Sequence, residues 1–106
     1  MLSTKDLTTG ERLRVARRRQ GVTQVQAAKQ HGISIARYKA AEKDEERPVK
    51  SPGIGKLLPH EACFIMRRRA EMTLDDLSEE TGLSKWWLCL MERGNAPVAT
   101  LVEYWA

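Results

Sequence analysis

The feature that most constrains this chain is its similarity to itself at an offset of fifty residues. Residues 11–44 align on 61–94 without a gap. Identities fall at Glu11/Glu61, Arg17/Arg67, Arg18/Arg68, Arg19/Arg69, Thr23/Thr73, Gly32/Gly82, Ser34/Ser84 and Glu42/Glu92. Val15/Ile65, Ile33/Leu83 and Lys43/Arg93 are similar pairs. Average composition gives roughly two identities in a window of that size, so the match is read as a diverged duplication. A 106-residue chain made this way is either two very small units that lean on each other or one small domain.

Each copy reads as three short helices, which makes the fold class all-α. In copy one a helix over 9–20 starts at Thr8, with Glu11 at capping-box spacing. Thr23 caps a second helix over 24–30, and Gly32 supplies the tight turn into a third over 35–43, capped by Ser34. In copy two the corresponding helices run over 59–70, 74–80 and 85–92, with Pro59 in a first turn and Thr73 and Ser84 as caps. A further helix over 98–105 follows Asn95-Ala96-Pro97 in copy two alone. Between the copies lie two prolines and two glycines, Pro48, Pro52, Gly53 and Gly55, the mark of a linker. The expected organisation is therefore 1–47, a linker over 48–56, and 57–106. Gly53-Ile54-Gly55-Lys56 lacks the glycine spacing, the preceding strand and the Ser/Thr of a phosphate-binding loop.

Composition narrows the function. At 42% hydrophobic and 30% charged residues, the chain has the make-up of a globular protein rather than a disordered one. No stretch approaches the roughly 20 apolar residues of a membrane span, and the first residues lack the apolar segment of a secretory signal. Cys63 and Cys89 stand far apart, outside any CxxC or Cys/His cluster, so the expectation is a cytoplasmic protein with reduced thiols and no structural metal. The net charge of +4 is unevenly placed. Residues 1–50 hold twelve Lys/Arg against six Asp/Glu, whereas residues 51–106 hold six against eight. Copy one is the half expected to meet phosphate.

Arg17…Gly21-Val22-Thr23-Gln24…Ala27-Ala28…Gly32-Ile33-Ser34…Tyr38…Ala41-Glu42 resembles the Cro/C1-type (XRE) helix-turn-helix family. Copy two resembles it through Arg67…Met72-Thr73…Leu77-Ser78…Gly82-Leu83-Ser84…Leu88…Met91-Glu92-Arg93-Gly94, and its Pro97…Leu101 tail matches the family's closing helix. The resemblance implies two tandem lambda-repressor-like units. It also implies structural ion pairs Arg17–Glu42 and Arg67–Glu92, tying the first helix of each copy to the third. In such a unit the second helix braces the third in the major groove of double-stranded DNA. Small transcriptional regulators of bacteria, phages and plasmids have this form.

Carried onto copy one, the resemblance implies DNA contact by Gln24 and by the start of the third helix, Ser34, Ile35, Ala36 and Arg37. Gln24 can meet a phosphate or an adenine edge, and Ile35 and Ala36 can touch thymine methyls. Arg37, Lys39 and Lys43 can reach guanine or phosphates, although cations on a helix also form ordinary solvated faces. Copy two departs from the pattern. Leu74 replaces the DNA-facing Gln, and Asp75, Asp76, Glu79 and Glu80 would repel phosphate. Trp86, Trp87 and Leu90 stand where copy one has Ala36, Arg37 and Ala40. Such a surface has the composition of a protein interface. Three readings stay open: packing against copy one, a homodimer contact, or a site for another regulatory protein.

Other candidates are thin. His31 and His60 have no partners at metal-ligand spacing. Cys63 replaces Leu13 and reads as a small core residue, and Cys89 has no paired base. No Ser/His/Asp set or carboxylate pair supports an enzyme, and no cofactor is expected. The function expected is a sequence-specific repressor or controller that binds an inverted repeat as a dimer. The competing expectation is a helix-turn-helix scaffold repurposed as a protein-binding antiactivator.

Overall fold

In a computed structural model, which describes residues 2–45 and 53–106, the protein is all-α. A short 3-10 turn over Thr4–Asp6 precedes α1 (Thr9–Gln20), α2 (Gln24–Gln30) and α3 (Ile35–Glu42). Then follow α4 (Pro59–Arg69), α5 (Leu74–Thr81), α6 (Lys85–Glu92) and α7 (Ala99–Trp105). Two compact units emerge, one over Thr4–Lys56 and one over Leu57–Ala106. The proline-bearing part of the expected linker, residues 48–52, lies outside the described residues, as do residues 46 and 47 before it. Among the described residues no helix is long and apolar enough to cross a membrane.

Capping chemistry sets the helix starts of the first unit. The Thr8 hydroxyl accepts from the Glu11 amide (3.2 Å) and the Glu11 carboxylate accepts from the Thr8 amide (3.0 Å). Thr23 and Gln26 close the same reciprocal box at the head of α2, at 3.1 and 2.9 Å. Each box satisfies two amides that a helix start otherwise leaves open. Ser34 caps α3 by accepting from the Arg37 amide (3.2 Å). Gly32, at φ 67°, makes the turn between α2 and α3 in a region other residues enter only at a cost.

Within this unit α3 packs against both α1 and α2. Ala27, Ala28 and Tyr38 form a buried cluster flanked by Val22, Ile33 and Ile35, while Leu13 and Val15 bury the inner side of α1. The first turn of α1 meets the end of α3 so closely that a Cβ on Gly10 would lie 2.7 Å from the Ala41 carbonyl oxygen and nearer still to that of Glu42. Asp44, itself at φ 60°, fastens that joint: its carboxylate accepts from the Gly10 amide (2.8 Å) and the Thr8 hydroxyl (2.7 Å). Residues 53–56 belong to this unit as well. Arg19 donates to the carbonyls of Ile54 and Lys56, and the Thr4 hydroxyl donates to that of Gly55.

The second unit repeats the pattern with different fillings. Thr73 and Asp76 form the box at α5, Ser84 caps α6, and Gly82 turns between them at φ 75°. Leu58, with no side-chain acceptor, leaves only the Glu61 carboxylate to accept from its own amide (2.9 Å) at the head of α4. Cys63, Leu77, Leu88, Met91 and Leu101 form the core, with Trp87 and Trp105 packed against it. α7 and α6 both lie on α4.

Candidate nucleic-acid interface

The surface that could face DNA is carried by α2 and α3, so its rigidity depends on what ties them to α1. Arg17 does this. Its Nε and Nη2 donate to the two carboxylate oxygens of Glu42 at 2.7 and 3.3 Å, and Nη1 donates to the Val22 carbonyl at 3.4 Å. A forked guanidinium–carboxylate contact fixes direction as well as distance. Arg14 adds a second cation 3.5 Å from Glu42, and the Gln24 amide donates to the same carboxylate at 3.1 Å. Burial by itself would raise the Glu42 carboxyl. Hydrogen bonds from Arg17 and Tyr38, the Arg17 charge and the Gln24 bond outweigh it and hold the group below its usual range. Burial, reinforced by the bond to Glu42, pushes the Tyr38 hydroxyl far above its ordinary value.

Arg67 and Glu92 make the corresponding contact in the second unit, at 2.8 and 3.0 Å, with Arg67 also donating to the Met72 carbonyl at 2.9 Å. Around it Phe64, Leu74 and Leu88 occupy the positions of Arg14, Gln24 and Tyr38. The Arg67 guanidinium lies over the Phe64 ring at 5.6 Å.

This frame sorts the residues expected to touch DNA. Gln24 spends its amide on Glu42, and Ser34 spends an acceptor on the Arg37 amide. Ile35 is half-buried against the Ala27–Ala28–Tyr38 cluster. Ala36, Arg37 and Lys39 are exposed on α3, and Lys43 is exposed just past its end. Two exposed residues of α2 join them that the sequence reading passed over, Val25 and Lys29. Their signal was present: Ala27 and Ala28 are the inward pair of α2, so residues two before and one after them turn outward. Arg19, exposed near the end of α1, donates to the carbonyls of Ile54 and Lys56.

In the second unit the equivalent surface has another character. Trp86 is 68% exposed, while its neighbour Trp87 is half-buried on the core and Leu90 is half-buried. The two indole rings are tilted, 6.2 Å apart. Asp75, Asp76, Glu79 and Glu80 are exposed on α5, with Asp75 3.4 Å from Lys85.

Cys63 is buried, and burial with the nearby Glu92 charge pushes its thiol up to about 11, so the thiolate that nucleophilic chemistry needs is scarce at neutral pH. Among the described residues, no group of three or more His, Cys, Asp or Glu is placed to hold a metal ion. Compared with protein-family models, curated proteins and solved structures, the chain matches none significantly.

Proposed function

We propose that the protein is a cytoplasmic, sequence-specific DNA-binding transcriptional regulator of the Cro/C1-type helix-turn-helix kind, a repressor or controller rather than an enzyme. The first unit docks α3 in the major groove of double-stranded DNA, braced by α2. The observation that carries this reading is the outer side of α3. Ala36, Arg37 and Lys39 are exposed there, with Lys43 just past the end, on a helix whose far side is locked to α1 through Arg17 and Glu42. Exposed cations on a rigid helix supply the phosphate attraction, and the short side chain of Ala36 allows close approach to the bases. The second unit, acidic on α5, serves association: Trp86 is its contact, and the chain acts as a homodimer on an inverted repeat.

A second reading draws on the same tryptophan. An indole 68% exposed beside an acidic helix also fits a protein-binding antagonist, an antiactivator whose target is another regulator. Selection of fragments from random double-stranded DNA by the intact protein separates the two. Enrichment of an inverted repeat supports the DNA-binding dimer. Its absence from a folded helical sample moves the function to the tryptophan surface.

A further inference from the structure

We propose that the first unit reads its site chiefly through thymine methyl groups, with Val25 of α2 and Ala36 of α3 as the reading residues. This rests on the DNA-binding reading above and specifies the chemistry of the recognised bases. Two of the polar groups that could read base edges at the head of α2 and α3 are turned to other work. Gln24 donates to the buried Glu42, and Ser34 holds the Arg37 amide.

Beside the exposed Arg37, the two helix starts leave two apolar residues outside. Val25 is the second residue of α2 and 52% exposed; Ala36 is the second residue of α3 and exposed. Between them in character is Ile35, half-buried. The repeat indicates how near these positions are. In the second unit Asp75 and Lys85, which correspond to Val25 and Ile35, stand 3.4 Å apart as an ion pair. The first turns of the two helices are therefore within reach of a long side chain, and in the first unit these turns carry the small apolar pair Val25 and Ala36. Lys29, Arg37 and Lys39 surround it with positive charge, the complement of a phosphate backbone. An isolated exposed valine needs no explanation on an ordinary surface. A valine and an alanine at the tip of a cationic, rigid helix pair face the only apolar group the major groove offers, the C5-methyl of thymine.

The test begins with duplexes selected by the intact protein from a random double-stranded pool. Each thymine of the enriched motif is then replaced by deoxyuridine, which removes the methyl and keeps every hydrogen-bonding atom. Binding by the unaltered protein should weaken about fourfold for each methyl it buries, the factor one methyl group supports. Val25→Ala, at a half-exposed position, should keep the thermal midpoint and lose that discrimination at one or more positions. Its affinity for the fully substituted duplex should stay within about twofold of the unaltered protein's, since the cations are untouched. Lys39→Ala should instead weaken thymine and uracil duplexes equally. An enriched motif whose uracil version binds equally well overturns the inference while leaving DNA binding intact, as does full discrimination by Val25→Ala. A folded sample that enriches no motif removes the DNA-binding reading and this inference together.

Discussion

The two units share the caps of their second and third helices and the Arg–Glu fork, yet they fill the space around that frame in opposite ways. At the joint between first and third helices, the first unit has Gly10 against the α3 end and Asp44 bonded across the gap. The second has His60 at the position of Gly10 and Gly94 at that of Asp44, with a Cβ on Gly94 falling 2.9–3.1 Å from the imidazole ring. Bulk has changed sides. The same trade appears around the ion pair, where polar Arg14, Gln24 and Tyr38 give way to Phe64, Leu74 and Leu88. A duplicated frame can thus be kept while one copy retains a polar network and an exposed cationic helix and the other turns apolar.

The comparison is broken most severely at the ion pair. Glu42→Ala leaves Arg17 with no carboxylate in a buried place and removes the acceptor of Gln24 and the partner of Tyr38. Loss of one member of a buried pair costs about 3–5 kcal/mol. The change at Glu42 should stand at the upper end of that range and that at Glu92 nearer the lower, because Leu74 and Leu88 there lose no side-chain hydrogen bond. Urea unfolding of the two variants measures this, and equal losses would mean that the polar network around Glu42 adds nothing. The pH dependence has a definite sign. A carboxylate held below its ordinary value stabilises the fold at neutral pH, and that contribution disappears as pH falls through the folded-state value. The gap between the unaltered protein and Glu42→Gln should therefore narrow on acidification.

The functional contrast breaks next. Arg37→Glu combined with Lys39→Glu should lower DNA affinity by on the order of a hundredfold and flatten its salt dependence, leaving the molecular mass unchanged. Trp86→Ala should do the reverse, reducing the mass seen by light scattering to that of one chain while each unit stays folded. A mass unaffected by Trp86→Ala takes dimerisation away from this surface.

How much of this was readable in the sequence follows from the range of the forces involved. Helix starts were legible to within a residue or so because caps act over three residues, and Thr8, Thr23, Ser34, Thr73 and Ser84 all appear as caps. The orientation of Gln24 was not. It depends on Glu42, an acceptor eighteen positions away. Helical spacing points Trp86 and Leu90 outward together; Trp86 is 68% exposed, whereas Leu90 is half-buried and Trp87, counted in the same surface, is half-buried too. Trp87 proves to pack on the core. Likewise Ile54 and Lys56, whose carbonyls accept from Arg19, lie thirty-five and more positions away from it, beyond the range of any local signal.

A smaller effect probes the joint itself. Gly10→Ala places a methyl against backbone carbonyls that cannot turn aside, so one helix must shift and strain the Asp44 bonds. Overpacking of this kind costs about 1–3 kcal/mol. His60→Ala at the matching position leaves Gly94 with a gap rather than a clash and should cost less, about 1 kcal/mol for the contacts removed. If the two variants cost the same, the exchange of bulk across the joint is not what fits each unit together.

The smallest expected effect has the opposite sign. After α1 the chain turns through Gly21 at φ 69°, whereas after α4 the equivalent turn is made by Glu71 at φ 56°. A side chain in that left-handed region crowds its own carbonyl and costs roughly 1–2 kcal/mol, while glycine carries no such penalty. Glycine does give the unfolded chain more freedom, which offsets part of the gain. Glu71→Gly should therefore stabilise the second unit by about 1 kcal/mol or slightly less, a rise of a few degrees in thermal midpoint for a unit of this size. Gly21→Glu should destabilise the first unit by a similar amount, since nothing near Gly21 obstructs a side chain and only the backbone angle opposes it. If Glu71→Gly instead destabilises, Glu71 must gain from its side chain more than its backbone loses. The second unit would then have replaced a conformational preference by a contact, as the first unit did at Asp44.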